Sequence, residues 1–385
     1  MATTATFQGY ISNGTSGVAG TILNITTMTT GTIQLGMNVS NASTLANTTV
    51  VAFLTGTGTT GTYTVSKSQS VGQSASPSAM TATTAAVIVA SDYNYMQTIA
   101  ATVMGTPSGT SGYNQTVLSS QIPGTTTAIT ASQWSNLRTD LLNAYLHQGS
   151  IGSLPSPGVP TKTTAPTGLV SSGDFSKYLA IANSINANKL SIAASGQSSL
   201  VTLSTTPRTA GWNTTVTNTI TLTWPTAAAA RGFFNSGANI QFSATLTGYL
   251  PADPGYSKSV DWDTLVTNMK TITMNYNSTT CTGSFTSIGS AVGFYQLSTS
   301  NTNIFNKTTA SPTYTNNQYD IYANLNAAGT ILTFSVQFQD NSGQPNPPYG
   351  TDELVTGTLT SKVQVFYASG SNVAATYPTV GLSGP

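Results

Sequence analysis

The chain has 385 residues and a formal net charge of +1, with 38% of its residues hydrophobic and only 5% charged, against about 25% charged in ordinary globular proteins. Its 11 basic residues are scattered, which argues against the clustered Lys and Arg that neutralise nucleic-acid phosphates or hold a protein to an anionic membrane. With 17 Tyr, 12 Phe and 4 Trp it reads as folded rather than disordered.

The first residues, Met-Ala-Thr-Thr-Ala-Thr-Phe-Gln, carry no basic head and no apolar stretch, so no secretory signal is expected. Residues 1–85 read as a small β domain. Short apolar segments at Thr21–Ile25, Thr32–Val39, Thr48–Phe53 and Thr62–Val65 are separated by Gly, Asn and Ser. Lys67 is the only charged side chain among the first 91 residues. The Asn-x-Ser/Thr triplets, such as Asn24-Ile25-Thr26, follow from the composition and carry no weight.

Gly56, Gly58 and Gly61 have the Gly-x-Gly-x-x-Gly spacing of a dinucleotide-binding turn. That turn needs a helix to begin inside it and an acidic residue about twenty positions on. Here Tyr63-Thr64-Val65 follows, which is strand-forming, and no acidic residue occurs before Asp92. The spacing predicts two strands joined by a Gly/Thr connection, and no cofactor.

Residues 86–150 change to a helical period. Ser91 is placed to cap a helix with Tyr95, Met96, Ile99, Val103 and Met104 on one face, ended by Gly105. The segment ITASQWSNLRTDLLNAYLHQG is the clearest helix. Thr130 and Gln133 form a capping box, Trp134, Leu137, Leu141, Ala144 and Tyr145 share a face, and Gly149 stops it. Residues 151–172 form a proline-rich linker. Residues 173–197 hold a third helix, from Asp174 to about Leu190.

From 198 to 385 the period becomes two. Val216, Ile220, Leu222 and Trp224 alternate with threonines, and Ile240, Phe242, Ala244 and Leu246 do the same. So do Leu332, Phe334, Val336 and Phe338, and then Leu359, Val363, Val365 and Tyr367. One apolar and one polar face per strand predicts antiparallel sheets packed as a β-sandwich. Asn326–Gly329 is a turn between two strands, and a short helix over Asp261–Met269 points Trp262, Leu265, Val266 and Met269 inward. The expected fold is therefore mainly β with a small helical unit: an N-terminal small β domain, a helical insertion and a C-terminal antiparallel β-sandwich.

The residues able to do chemistry are few. His147, the only histidine, lies in a last helical turn, where the helix dipole favours it without catalysis. The single Cys281 excludes an internal disulfide framework and a cysteine-based zinc site, and reads as a small buried side chain. Glycan cleavage needs two carboxylates flanking a bond. Asp261 and Asp263 read as caps at a helix start, and Asp352 with Glu353, the only glutamate, as members of an exposed loop after Pro345, Pro347, Pro348 and Gly350. Asp340-Asn341 lacks the spacing of a calcium loop. Tyr249, Tyr256 and Tyr349 lie in Gly/Pro loops as exposed aromatics, short of a sugar site. No catalytic, cofactor-binding or metal-binding residue is assigned.

The segments ISNGTSGVAGTILNITT, TGTGTTGTYTVS, ITASQWSNLRTDLLNAYLHQ and ARGFFNSGANIQFSATLTG resemble virion structural proteins of tailed bacteriophages, those of cyanobacteria in particular. The resemblance touches about half the chain and transfers no active-site residue. It implies a non-enzymatic, tail-associated component (tail fibre, baseplate or appendage) located in the virion and assembled in the host cytoplasm. Its partners would be other virion proteins, copies of itself with a trimer favoured, and a host-surface glycan, without nucleic-acid binding or membrane insertion. A capsid decoration or head fibre, a glycan-degrading tailspike and a bacterial adhesin are the alternatives, the last weakened by the missing signal.

Overall fold

A computed structural model describes residues 4–45, 48–84, 88, 90–123, 129–149, 170, 172–193, 198–342 and 352–384. Most of the proline-rich segment and Tyr349 lie outside the described residues. The chain divides into two compact units, Met1–Val89 with Val170–Phe175, and Ala90–Leu169 with Ser176–Pro385.

The first unit is a closed antiparallel barrel. Its strands are β1 (Thr4–Ser12), β2 (Gly20–Thr30), β3 (Met37–Ser40), β4 (Thr48–Phe53), β5 (Gly61–Gln69) and β6 (Ser78–Thr84), in the order β1-β2-β5-β4-β3-β6. Alternation places Ala5, Phe7, Ile11, Leu23, Ile25, Val39, Val50, Tyr63, Val65 and Ala82 inside. β1 and β6, which had no sequence signal of their own, close the ring: Thr4–Gly9 pair with Ser78–Thr83. Closure leaves no free sheet edge, which suits a module with so little charge to keep edges apart. The strand expected over Thr32–Val39 starts only at Met37, because Gly31 and Gly36 turn the chain with φ of 72° and 82°.

The glycine-rich stretch is a hairpin connection between β4 and β5. The amides of Leu54, Thr55 and Gly56 all donate to the Thr62 carbonyl, at 3.0, 3.2 and 3.2 Å. The loop wraps Tyr63, whose hydroxyl accepts from Gly58 N at 3.1 Å and donates to Thr59 O at 2.5 Å. A side chain at Gly56 would collide with the Tyr63 ring. The glycines answer to a buried tyrosine, not to a phosphate.

The second unit begins with helices. α1 is Ala90–Met104, α2 is Ala131–Gln148 and α3 is Ser172–Ala187. α1 starts one residue before Ser91, which therefore sits in its first turn. The Thr130–Gln133 capping box and the Gly149 stop are both present on α2. Tyr93, Trp134 and Tyr178 join the three helices, with ring centroids 5.4 Å and 4.8 Å apart. Buried Asp140 accepts from Leu118 N, Ser119 N and Ser119 Oγ and so fixes the α1–α2 loop. α3 stops at Ala187 rather than Leu190, with both the backbone N–H and the side-chain amide of Asn188 donating to the Ser184 carbonyl.

Two sheets follow. One, in the order β11-β10-β9-β16-β7, contains β7 (Ser198–Arg208), β9 (Asn239–Thr247), β10 (Ile272–Met274), β11 (Thr279–Cys281) and β16 (Thr358–Ala368). The other, in the order β12-β13-β14-β15-β8-β17, contains β8 (Thr215–Thr223), β12 (Ser287–Ile288), β13 (Thr302–Thr308), β14 (Gln318–Leu325), β15 (Ile331–Gln339) and β17 (Thr379–Ser383). Every pairing is antiparallel. The apolar rows read from the sequence face one another in a single core, where Phe242 of β9 meets Phe334 of β15 at 4.9 Å between ring centroids. Asn326–Gly329 makes the β14–β15 turn, with Asn326 Oδ1 accepting from Thr330 N and Ile331 N.

Two further helices, α4 (Ala227–Asn235) and α5 (Tyr256–Met269), join this core. α5 buries Trp262, Leu265, Val266 and Met269, as expected, but starts well before Asp261. Truncating the fully buried Phe334 opens a cavity at the inter-sheet contact. Phe334→Ala is expected to cost about 3–5 kcal/mol, and Thr333→Ala on the opposite face about 0.5 kcal/mol. Urea unfolding of the full chain reads both, and equal effects would contradict the packing.

Candidate functional site

Six of the ten acidic residues, Asp253, Asp261, Asp263, Asp340, Asp352 and Glu353, are carried by α5 and the segments around it. Gly255, the residue just before α5, takes a left-handed φ of 89° and lies so close to the Leu354 carbonyl that a Cβ would collide with it. The chain leading into β16 therefore runs directly along the helix start. Ser259 Oγ donates to Gly255 O at 3.1 Å and accepts from Thr356 N at 2.9 Å. Asp253 Oδ2 accepts from Leu250 N at 2.8 Å and from Thr356 Oγ1 at 3.1 Å.

Lys258 follows in the first turn of α5 and has no exposed surface. Its ammonium lies 2.7 Å from Asp340 Oδ2, just past the end of β15, and that carboxylate is also fully enclosed. On the other side it donates to Asp352 Oδ1 at 2.8 Å, a side chain 26% exposed, and to the Glu353 carbonyl at 2.8 Å. An ammonium has three N–H donors; two go to Asp352 Oδ1 and the Glu353 carbonyl, and the Asp340 carboxylate lies within ion-pair distance without accepting a directed hydrogen bond. Burial pushes the Asp340 carboxyl above its ordinary value, and Lys258 and Ser342 offset part of that rise. A buried charge pair survives only with such satisfaction, because each ion has lost its hydration.

The remaining carboxylates are turned to different partners. Asp261 and Asp263 lie in mid-helix, not at its start, so they do not cap it. Two residues apart on a helix, they point in different directions. Asp261 Oδ1 accepts from Thr309 Oγ1 at 2.6 Å, its Oδ2 accepts no hydrogen bond, and burial raises the carboxyl. Asp263 accepts from Tyr249 OH at 2.6 Å and Thr267 Oγ1 at 3.1 Å. Tyr249 is held up at about 12, chiefly by that hydrogen bond to Asp263. Glu353 Oε2 accepts from the buried Tyr314 hydroxyl at 2.9 Å, and burial, reinforced by Glu353, raises Tyr314. Asp352 and Glu353 are thus not a solvated loop pair: both are half-buried, one facing Lys258 and the other Tyr314.

Lys258 and Tyr314 carry the arrangement and were not singled out in the sequence. The signal for Lys258 was present, since the face of Trp262, Leu265, Val266 and Met269 extended back one turn lands on it. The signal for Tyr314 was not, because it lies in an irregular β13–β14 loop. Tyr249 and Tyr256 are half-buried against each other, with ring centroids 5.8 Å apart. Asp340 faces Lys258 and Ser342, and among the described residues no group of three or more His, Cys, Asp or Glu is placed to hold a metal ion. Cys281 is half-buried rather than buried, its thiol donating to Met269 O at 2.9 Å, and burial raises it.

No family model, curated protein or solved structure matches the chain.

His147 lies apart from this cluster. It is fully buried, its Nε2 at 2.9 Å from the Ser236 carbonyl and its Nδ1 without a partner. The carbonyl contact makes Nε2 the protonated nitrogen of a neutral ring. Burial lowers His147 from 6.5 to about 4, opposed by Ser236. The unfolded chain therefore takes up this proton near pH 6.5 and the folded chain only near pH 4. The contribution of neutral His147 is whole above pH 6.5 and is lost as pH falls to about 4, up to roughly 3 kcal/mol. Unfolding measured from pH 7.5 to 4 is expected to show this loss, and His147→Gln to flatten that part of the profile. Parallel profiles for the two proteins would contradict it.

Proposed function

We propose that this chain is a structural component of a phage virion, tail-associated as a fibre, baseplate or appendage protein. It acts by assembly with other virion proteins and with copies of itself, without catalysis, and meets the host through a surface glycan. The observation that carries the reading is the Lys258 cluster. The set of six acids and Lys258 around α5 is closed on itself, and the lysine ammonium fills the space between Asp340 and Asp352. A glycoside hydrolase needs that space for the reacting sugar carbon. An acid tied to tyrosine, threonine or lysine supports a framework. The closed barrel, the charge-poor surface and the likeness of four segments to tailed-phage virion proteins support the same reading.

Antibody against the purified protein, detected with gold on intact phage particles by electron microscopy, is expected to label the tail or its appendages. Label on the capsid would replace the tail assignment with a decoration or head-fibre role, and particles without label would overturn the virion reading.

A further inference from the structure

We propose that Lys258 and Asp340 join into an intramolecular isopeptide bond once the chain has folded. The Lys258 nitrogen lies 2.7 Å from Asp340 Oδ2, and neither side chain has any exposed surface. That oxygen accepts no directed hydrogen bond, so the amine sits against the carboxyl group off the usual hydrogen-bonding direction. The Glu353 carbonyl at 2.8 Å holds the nitrogen in place. Asp352, 2.8 Å from the same nitrogen and 26% exposed, joins the enclosed pair to solvent. Trp262, one turn along α5, and Phe338, two residues before Asp340, are fully buried with ring centroids 6.1 Å apart. They bring α5 and β15 together in the buried core, and the enclosure of Lys258 and Asp340 themselves disfavours both charges.

The reaction balances without an oxidant or co-reactant. A proton passes from the Lys258 ammonium to the Asp340 carboxylate, leaving a neutral amine against a carboxylic acid. Burial raises the Asp340 carboxyl, the direction this transfer needs at the acid. The amine lone pair attacks Cγ of Asp340 and forms the C–N bond. Asp352 takes the proton released by nitrogen and returns it to the hydroxyl of the tetrahedral intermediate. The C–O bond breaks, one water leaves, and Asp352 is regenerated. Asp352 touches the reacting nitrogen and is the catalytic residue of this step. The product ties α5 covalently to the end of β15, a cross-link for a chain whose single cysteine allows no internal disulfide.

The test is the intact mass of the full-length protein, purified and denatured, followed by proteolytic mapping. The proposal expects a mass lower than the sequence mass by one water, after allowance for initiator methionine. It also expects a branched peptide with Lys258 in one arm and Asp340 in the other. Lys258→Arg is expected to restore the full mass, and Asp352→Asn to leave most of the protein unlinked. A wild-type protein of full sequence mass with Lys258 in a linear peptide overturns the proposal. So does a water loss that maps to any other pair or to a single residue. The wild-type measurement decides the matter even if a variant fails to fold.

Discussion

A lysine ammonium taken out of water must be surrounded by acceptors, and at Lys258 that requirement organises one end of the larger unit. Its acceptors come from the end of β15 and from the chain entering β16, so a single side chain holds both to the start of α5. Neighbouring contacts depend on this placement. Gly255 must be glycine because the Leu354 carbonyl is pressed against it, and Ser259 and Asp253 then take up the amide and hydroxyl of Thr356. Removing one partner of a buried ion pair costs about 3–5 kcal/mol, because the other is left charged and dry. The pair is a constraint on which segments meet more than a source of stability.

Elsewhere charge is sparse and scattered, with Lys67 the only charged side chain of the barrel. In the barrel, alternation alone sorts apolar from hydroxyl side chains, and closure disposes of the edges. In the sandwich, the polar faces carry Thr, Ser, Asn and Gln, which bond to one another across strands, as Gln318 does to Gln339 at 3.0 Å. Asp320, buried at 1%, accepts from Asn303, Asn306 and Gln339, so an acid outside the cluster is also held by amides. At Lys258, Asp140 and Asp320 charge fixes one segment to another.

Much of this fold was legible because period-two alternation is a local signal. Val216–Trp224, Asn239–Thr247 and Leu332–Phe338 each declare their inner face, and the capping box of α2 declares its start. Barrel closure was not legible, since β1 and β6 find each other across more than sixty residues and no local pattern encodes the pairing. The start of α5 was missed because its first turn has no side-chain cap, and the usual acidic or hydroxyl marker is replaced by a left-handed glycine. Asp352 and Glu353 read as solvated because prolines surround them. Their burial depends on Lys258 and Tyr314, which come from other parts of the chain.

Hydrogen–deuterium exchange of the full-length protein tests the central claim, that the acidic end is a closed framework and not an open cleft. The account predicts that peptides covering 256–262 and 353–358 exchange as slowly as those of β9 and β16, opening only when the sandwich unfolds. Fast exchange of these two segments while β9 and β16 stay protected would contradict it.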